Sequence, residues 1–281
     1  MDEYPNIQHM RPNTTASYVA SGRGGNGMLA RIGLLYEYCV LYGGLALFGL
    51  ICLTWSFIAT ILYPLLPRRI GAPLGQVAIK TGFGWFLAAL SASRIVTLDL
   101  SALDALRNER ALVIAPNHPS LLDVVLVASR LPHVTCIMKA EIWDNVFLGG
   151  GARLAGYIRN DSPSRMIRGA AATVRAGTPL LIFPEGTRTR QQPVSGFRGG
   201  FALIAKAAGA PVQTVFIETN SPFLGKGWSL FRKPAFPLVY RVRLGRRFQV
   251  EESVRDFVPQ LESYYRQSLS SGAVAPSDSP R

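Results

Sequence analysis

With 281 residues and 48% hydrophobic content, the chain is long enough for one principal domain with an accessory segment. Its net charge of +13 calls for a polyanionic partner or a negatively charged surface: nucleic acid, anionic lipid or a phosphorylated substrate. Three histidines (His9, His118, His133) and three cysteines (Cys39, Cys52, Cys136), without metal-ligand or CxxC spacing, argue against a histidine-rich metal centre and a disulfide framework, and suit reduced thiols on the cytosolic side.

Residues 1–30 are rich in Gly, Ser, Asn and Thr with little periodicity, and are expected to form a flexible arm. No signal peptide is expected, because the apolar run begins too late and has no small-residue cleavage site behind it. From Tyr38 to Pro67 there is no charged residue, a run of 30 that exceeds the ~20 apolar residues needed to cross a bilayer. Gly43, Gly44 and Gly49 offer points of kinking or close packing within it. Arg68 and Arg69 end the run, with Lys80 and Arg94 beyond, whereas Arg11, Arg23 and Arg31 before it are offset by Asp2, Glu3 and Glu37. The positive side is therefore C-terminal, which puts the body on the cytoplasmic side of the cell inner membrane. A shorter apolar stretch, Thr81 to Ala92, reads as an interfacial helix or the second arm of a hairpin dipping into one leaflet. Residues 31–93 are thus expected to be a membrane-associating helical segment.

From Ile95 onward short apolar runs alternate with helical patterns. Strands are expected at Ile95–Leu98, Ala111–Ala115, Val134–Met138, Pro179–Phe183, Val212–Ile217 and Pro237–Leu244. Helices are expected at Leu121–Arg130, Ser164–Ala176, Gly199–Ala208 and Ser253–Leu269. This alternation implies an α/β domain over residues 94–270, a mixed, mostly parallel sheet flanked by helices, followed by a disordered tail at 271–281. Ligands bind such sheets outside the carboxyl ends of the strands, which singles out the turns after Ala115 and after Phe183.

The first turn reads Pro116-Asn117-His118-Pro119-Ser120, with Asp123 opening the next apolar run. Five helical residues advance about 140° beyond a full turn, so His118 and Asp123 cannot share a helical face. They meet only if His118 stays in the turn and Asp123 lies in the first helical turn, an arrangement Pro119 favours. Asp123 can then fix the imidazole tautomer and leave the other ring nitrogen free as a base. Ser120 is expected to cap the helix. The competing reading is a plain turn followed by a helix-start charge. The second turn carries Glu185, Gly186, Thr187, Arg188 and Arg190, then Arg198, Gly199 and Gly200 ahead of a helix containing Lys206. A glycine after a carboxylate permits a sharp turn, and hydroxyl, guanidinium and backbone N–H groups suit an anion. Here the competing reading is a solvated basic face, with Glu185 paired to an arginine. Arg241 and Arg243 share a face of the last strand and suit either an acidic partner or a protected sheet edge.

Taken together, Asn117-His118 to Asp123 and Phe183 to Arg188 resemble the glycerophospholipid acyltransferases, typified by lysophosphatidic acid acyltransferases of the membrane-associated bacterial type. The resemblance covers roughly Val96 to Gly245 and the apolar segment before it. Two of the family's four motifs depart here: Gly156-Tyr157-Ile158 leads to Arg159-Asn160-Asp161 with Ser162 at the usual arginine position, and Thr214 replaces a proline of the fourth motif. The resemblance implies transfer of a fatty acyl group from a thioester, acyl-CoA or acyl carrier protein, to a hydroxyl of a lipid acceptor such as 1-acylglycerol-3-phosphate. His118 would be the general base and Asp123 its orienter, with Glu185, Gly186, Thr187, Arg188, Arg159 and Arg198 around the acceptor and no metal or other cofactor. A specialised acceptor such as an ornithine lipid, a glycolipid or a polyketide-like pigment is the alternative. Backbone N–H groups near the turn, which the sequence does not single out, are expected to stabilise the oxyanion. A non-catalytic membrane-tethered binder of anions is the rival of another class; a nucleic-acid role lacks aromatics interleaved with the basic residues.

Overall fold

The computed structural model describes residues 25–145, 149–251 and 253–271. The arm expected over residues 1–30 and the tail at 271–281 fall for the most part outside them. Two compact units divide the chain, Met1–Tyr36 and Glu37–Arg281. The described part of the first is the opening of helix α1 (Gly25–Leu65), where Met28, Leu29, Ile32 and Leu35 are exposed.

In the second unit α1 continues to Leu65, and helix α2 follows at Arg68–Ala92. Pro67, extended at φ −62° and ψ 145°, breaks the helix between them. The short segment expected at Thr81–Ala92 is thus the second half of one 25-residue helix, which begins at the Arg68-Arg69 pair. The two helices form an antiparallel hairpin. A Cβ on Gly44 would lie 3.1 Å from Leu90, one on Gly82 would lie 3.0 Å from Ile51, and Phe48 packs between Phe83 and Phe86. Small residues let the backbones approach, and the aromatic rings fill what remains.

Seven strands form one sheet in the order β1-β7-β6-β2-β5-β3-β4. They are β1 (Val96–Asp99), β2 (Val113–Pro116), β3 (Thr135–Lys139), β4 (Ile158–Asn160), β5 (Leu180–Leu181), β6 (Val212–Thr219) and β7 (Leu238–Phe248). All neighbours pair in parallel except β6 and β7. β2 is buried at every position, as expected of a central parallel strand. Helix α3 (Asp123–Ala128) follows β2, and the remaining helices are α4 (Ala140–Trp143), α5 (Gly149–Leu154), α6 (Pro163–Arg175), α7 (Gly200–Ala208) and α8 (Val254–Ser270). One face of the sheet packs on α3 and the α1–α2 hairpin through Leu126, Ile114, Val215 and Phe86. The other packs on α6, α7 and α8 through Val174, Phe201 and Tyr265.

The mixed, mostly parallel sheet is the architecture expected, and several boundaries shift. The strand expected to reach Phe183 ends at Leu181, where the chain leaves the sheet toward Pro184. α4, α5, β4 and a 3-10 turn at Ser101–Leu106 were not expected. α5 opens with three glycines, poor helix formers in isolation. They are required here by contact: Gly150 abuts Ser56 and Thr60, Gly151 abuts Trp55, and a Cβ on Gly75 would lie 2.6 Å from the Ala155 amide.

Candidate active site

The chain leaves β2 through Pro116 and turns at Asn117, whose buried side chain bridges to β6. Its Nδ2 donates to the Ile217 carbonyl at 2.9 Å and its Oδ1 accepts from the Ile217 amide at 2.7 Å. Asn117 thereby extends the β2–β6 pairing past the point where the backbone departs. From α8, the Tyr265 hydroxyl donates to the Ala115 carbonyl and accepts from the Val215 amide, tying the same two strands.

His118 then stands in the turn and Asp123 in the first turn of α3, with Nδ1 of the ring 2.8 Å from Oδ2 of the carboxylate. Asp123 Oδ2 also accepts from the Ser120 amide at 2.8 Å, while Oδ1 has no partner among the described residues. Asp123 is fully buried, and burial raises its pKa from the ordinary value to about 6, against the lowering influence of His118. The His118 ring stacks on Phe183, with centroids 3.9 Å apart and planes 18° from parallel. The imidazole is thus held by a carboxylate at one edge and an aromatic face on one side. Nε2 has no partner among the described residues.

The second loop braces the first. Glu185 is buried, and its Oε1 accepts from the His118 amide at 3.0 Å and the Thr189 hydroxyl at 2.8 Å, while Oε2 accepts from the Ser195 amide at 2.8 Å. The Thr189 amide returns a bond to the His118 carbonyl at 2.8 Å. Glu185 therefore binds the two loops to each other, and its oxygens are engaged by protein donors. Among the described residues Glu185 forms no ion pair with an arginine, the alternative considered for it. Gly186 has φ +67°, and a Cβ there would lie 2.7 Å from the Arg198 side chain. Arg198 is exposed beside it, and Thr187 is half-buried.

Arg188 turns toward a third loop that the sequence did not single out. Its Nη1 donates to the carbonyls of Leu224 and Gly225 at 2.8 and 2.9 Å. The Leu224 carbonyl also accepts from the Leu121 amide, and Ser120 Oγ donates to the Phe223 carbonyl at 2.9 Å. Ser120 Oγ accepts from the Leu122 amide at 3.2 Å, a bond within the turn; the N-cap position of α3 is Leu122, without a side-chain cap, so the capping expected of Ser120 does not occur. The clue in the sequence was the buried Phe223-Leu224-Gly225 set between polar residues, which periodicity alone does not connect to β2.

Arg159 lies apart. It sits on edge strand β4, three strands from β2 or about 14 Å at the usual strand spacing. Its guanidinium pairs with Asp144 at 2.5 Å and Asp161 at 2.6 Å. These partners hold its pKa above the ordinary value. It lines a groove of about 1450 Å³ along the β4 edge, with Arg68, Arg69, Arg153 and Arg165. Arg241 and Arg243 on β7 pair with Asp99 and Glu218.

The backbone amides of the first turn are all engaged: His118 to Glu185, Ser120 to Asp123, Leu121 to Leu224, Leu122 to Ser120 Oγ and Asp123 to the Ser120 carbonyl. These amides are therefore not free to receive an oxyanion. With Nδ1 engaged by Asp123, the imidazole can take a proton at Nε2 and deliver it again. Among the described residues no group of three or more His, Cys, Asp or Glu could hold a metal.

A family model described as Acyltransferase matches residues 98–218, which contain both loops of the site. The chain is 32% identical over 209 residues to a lyso-ornithine lipid O-acyltransferase of Pseudomonas aeruginosa, covering 70% of this chain and 76% of that protein. It is 31% identical over 167 residues to a 1-acyl-sn-glycerol-3-phosphate acyltransferase of Cocos nucifera, covering 56% of this chain and 53% of the relative, about half its length. In fold it is similar to the crystal structure of the 1-acyl-sn-glycerophosphate acyltransferase of Thermotoga maritima, with a TM-score of 0.64 and 17% identity over 88% of this chain and 99% of that one. These likenesses bear out the resemblance read from Asn117–Asp123 and Phe183–Arg188: the chain belongs to the acyltransferase family.

Proposed function

We propose that the protein transfers a fatty acyl group from an acyl thioester, acyl-CoA or acyl carrier protein, to a hydroxyl of a lysolipid at a membrane surface. The single observation that carries this is the His118–Asp123 pair, at 2.8 Å, with the ring packed on Phe183 and Nε2 left open. Asp123 holds Nδ1 protonated, so Nε2 is the basic nitrogen. Nε2 takes the acceptor's hydroxyl proton as the oxygen attacks the thioester carbon. The tetrahedral intermediate collapses, the C–S bond breaks, and the leaving sulfur takes the proton from the imidazolium as free thiol. With the first turn's amides engaged, the oxyanion is assigned to the Thr187 and Arg188 amides, which have no acceptor among the described residues.

The acceptor sits beside Gly186, Thr187 and Arg198, with 1-acylglycerol-3-phosphate as the first candidate. One observation favours a second reading, an amine-bearing lysolipid such as lyso-ornithine lipid. Two of the three arginines expected around the acceptor already have partners, Arg159 in two carboxylates and Arg188 in two carbonyls, which leaves Arg198. The Pseudomonas relative bears that acceptor in its name. Mass spectrometry of products from liposomes carrying each acceptor, with each donor type, separates the two readings; acyl transfer to neither would overturn both.

Membrane association rests on α1, whose stretch Met28–Leu65 is long and apolar enough to cross a bilayer by length and composition. In the second unit, however, both ends of the helix touch the same body: Glu37 pairs with Lys233, and Ser56 and Thr60 abut Gly150. Those contacts span about 36 Å at 1.5 Å per residue. They support a hairpin lying against one leaflet; the cytoplasmic side of the inner membrane is proposed for the body on the Arg68-Arg69 pair that ends the uncharged run.

A further inference from the structure

The connection between β6 and β7 has two parts with different chemistry. Its base, Phe223 to Gly225, is buried and accepts hydrogen bonds from Ser120, Leu121 and Arg188 of the catalytic loops. A Cβ on Gly225 would lie 2.9 Å from the Pro222 carbonyl and 3.3 Å from that of Pro119, so this base rests directly on the His118 turn. Its tip, Lys226 to Arg232, is exposed except for Trp228, whose ring packs edge-on against Phe223. Phe231 is 66% exposed and Leu230 44% exposed, and neither packs into the core.

The tip is held in shape from within. Trp228 Nε1 donates to the Arg232 carbonyl at 3.1 Å, and the Arg232 guanidinium lies 4.5 Å above the Trp228 ring. Lys233 is engaged by Glu37, and Phe231 meets Tyr42, whose hydroxyl donates to the Phe231 carbonyl at 3.4 Å. Lys226 and Arg232 have no carboxylate partner among the described residues. Tyr38 and Tyr42 are themselves exposed and continue into the exposed apolar side of α1 at Leu50, Leu53 and Phe57.

A protein partner would be expected to leave this patch less cationic. A bilayer suits both halves of it. Trp and Tyr rings favour the headgroup level, cations reach phosphates, and Phe and Leu side chains bury below. We propose that the Lys226–Arg232 tip docks on an anionic bilayer, with Leu230 and Phe231 entering the headgroup–acyl boundary and Lys226 and Arg232 meeting lipid phosphates. Through Phe223 to Gly225 it holds the His118 turn at the depth of a lysolipid hydroxyl. This rests on the membrane reading above and adds a contact outside the α1–α2 hairpin.

The test uses the full chain with its tryptophans reduced in number. One variant carries Phe231→Trp with Trp55, Trp85 and Trp143 changed to Phe and Trp228 kept to hold the tip, and is read as the difference from the same chain with Phe231; another retains only Trp85, which is 70% exposed on α2. Each is mixed with phosphatidylcholine–phosphatidylglycerol vesicles whose acyl chains are brominated near the headgroup. Quenching at both positions is the expected result. Quenching at Trp85 without quenching at position 231 overturns this proposal and leaves the membrane reading standing; quenching at neither overturns both. An independent arm uses Leu230→Ser with Phe231→Asp in the otherwise native chain. KM for a bilayer-presented acceptor should rise about tenfold or more, while kcat on detergent-dispersed acceptor holds. An unchanged KM contradicts the proposal.

Discussion

Asp123 must carry a charge where charge is penalised. It is fully buried, one oxygen is unpartnered among the described residues, and its pKa is pushed up to about 6. The proposed mechanism needs the carboxylate form, because the neutral acid cannot fix the imidazole tautomer or stabilise the imidazolium. The acid limb of kcat should therefore fall through about pH 6. The stability consequence has the opposite sign. A folded pKa above the unfolded value means that the native state binds the proton more tightly, so this group's stabilising contribution is present below about pH 4 and lost as pH rises through 6. Asp123→Asn should be inactive, yet at pH 7–8 as stable as the native protein or more so, by roughly 1–2 kcal/mol in chemical denaturation. A clear loss of stability would contradict that account. Glu185 behaves differently, because three donors converge on it. Glu185→Gln turns one acceptor into a donor facing a donor, and should cost about 1–3 kcal/mol together with most of kcat. Unchanged stability would show that the brace is dispensable. Of these residues, His118 and Asp123 were legible, because Pro119 and a five-residue spacing are local signals. The bracing role of Glu185 was not, since it depends on the β2–β5 adjacency, which no local pattern encodes. The same holds for Asn117, whose partner lies 100 residues away.

At the scale of elements, the site is held from behind by α8. Tyr265 reaches the ends of β2 and β6, and Glu262 accepts from the Phe197 amide at 2.9 Å beside the second loop. Tyr265→Phe removes the hydroxyl and leaves the Val215 amide short of a partner. Thermal denaturation should show a loss of about 1–3 kcal/mol, with kcat reduced more than KM. Equal effects on both would place Tyr265 outside the positioning of His118. The elements that sequence patterning revealed are those with their own apolar run or repeat: β1, β2, β3, β5, β6, β7, α3, α6, α7 and α8. α5 and β4 escaped because their cause is tertiary. Gly150 and Gly151 are helical where α1 leaves no room for side chains, Gly149 where Trp143 and Arg153 leave none, and a three-residue edge strand has too few positions to show a period.

Across the whole molecule, the α1–α2 hairpin is both core and candidate membrane surface. Leu41, Phe86 and Leu87 belong to the same cluster as β2 and α3, while Phe57 is 70% exposed. Deleting the hairpin would unfold the body, so the membrane reading is better tested on its outer side. Phe57→Asp with Leu53→Asp should lower vesicle partitioning about tenfold or more without changing the unfolding temperature appreciably. Unaltered partitioning would detach α1 from the bilayer. The charge of +13 fits such a surface and the acidic donors alike, and partitioning should weaken with salt accordingly. The central claim, that His118 is the base, is tested most directly by thiol release from acyl-CoA or acyl carrier protein with acceptor present. His118→Ala should lose about 10²-fold or more of the rate while the variant remains folded and vesicle-bound; retention of more than a few percent of native activity would contradict the assignment.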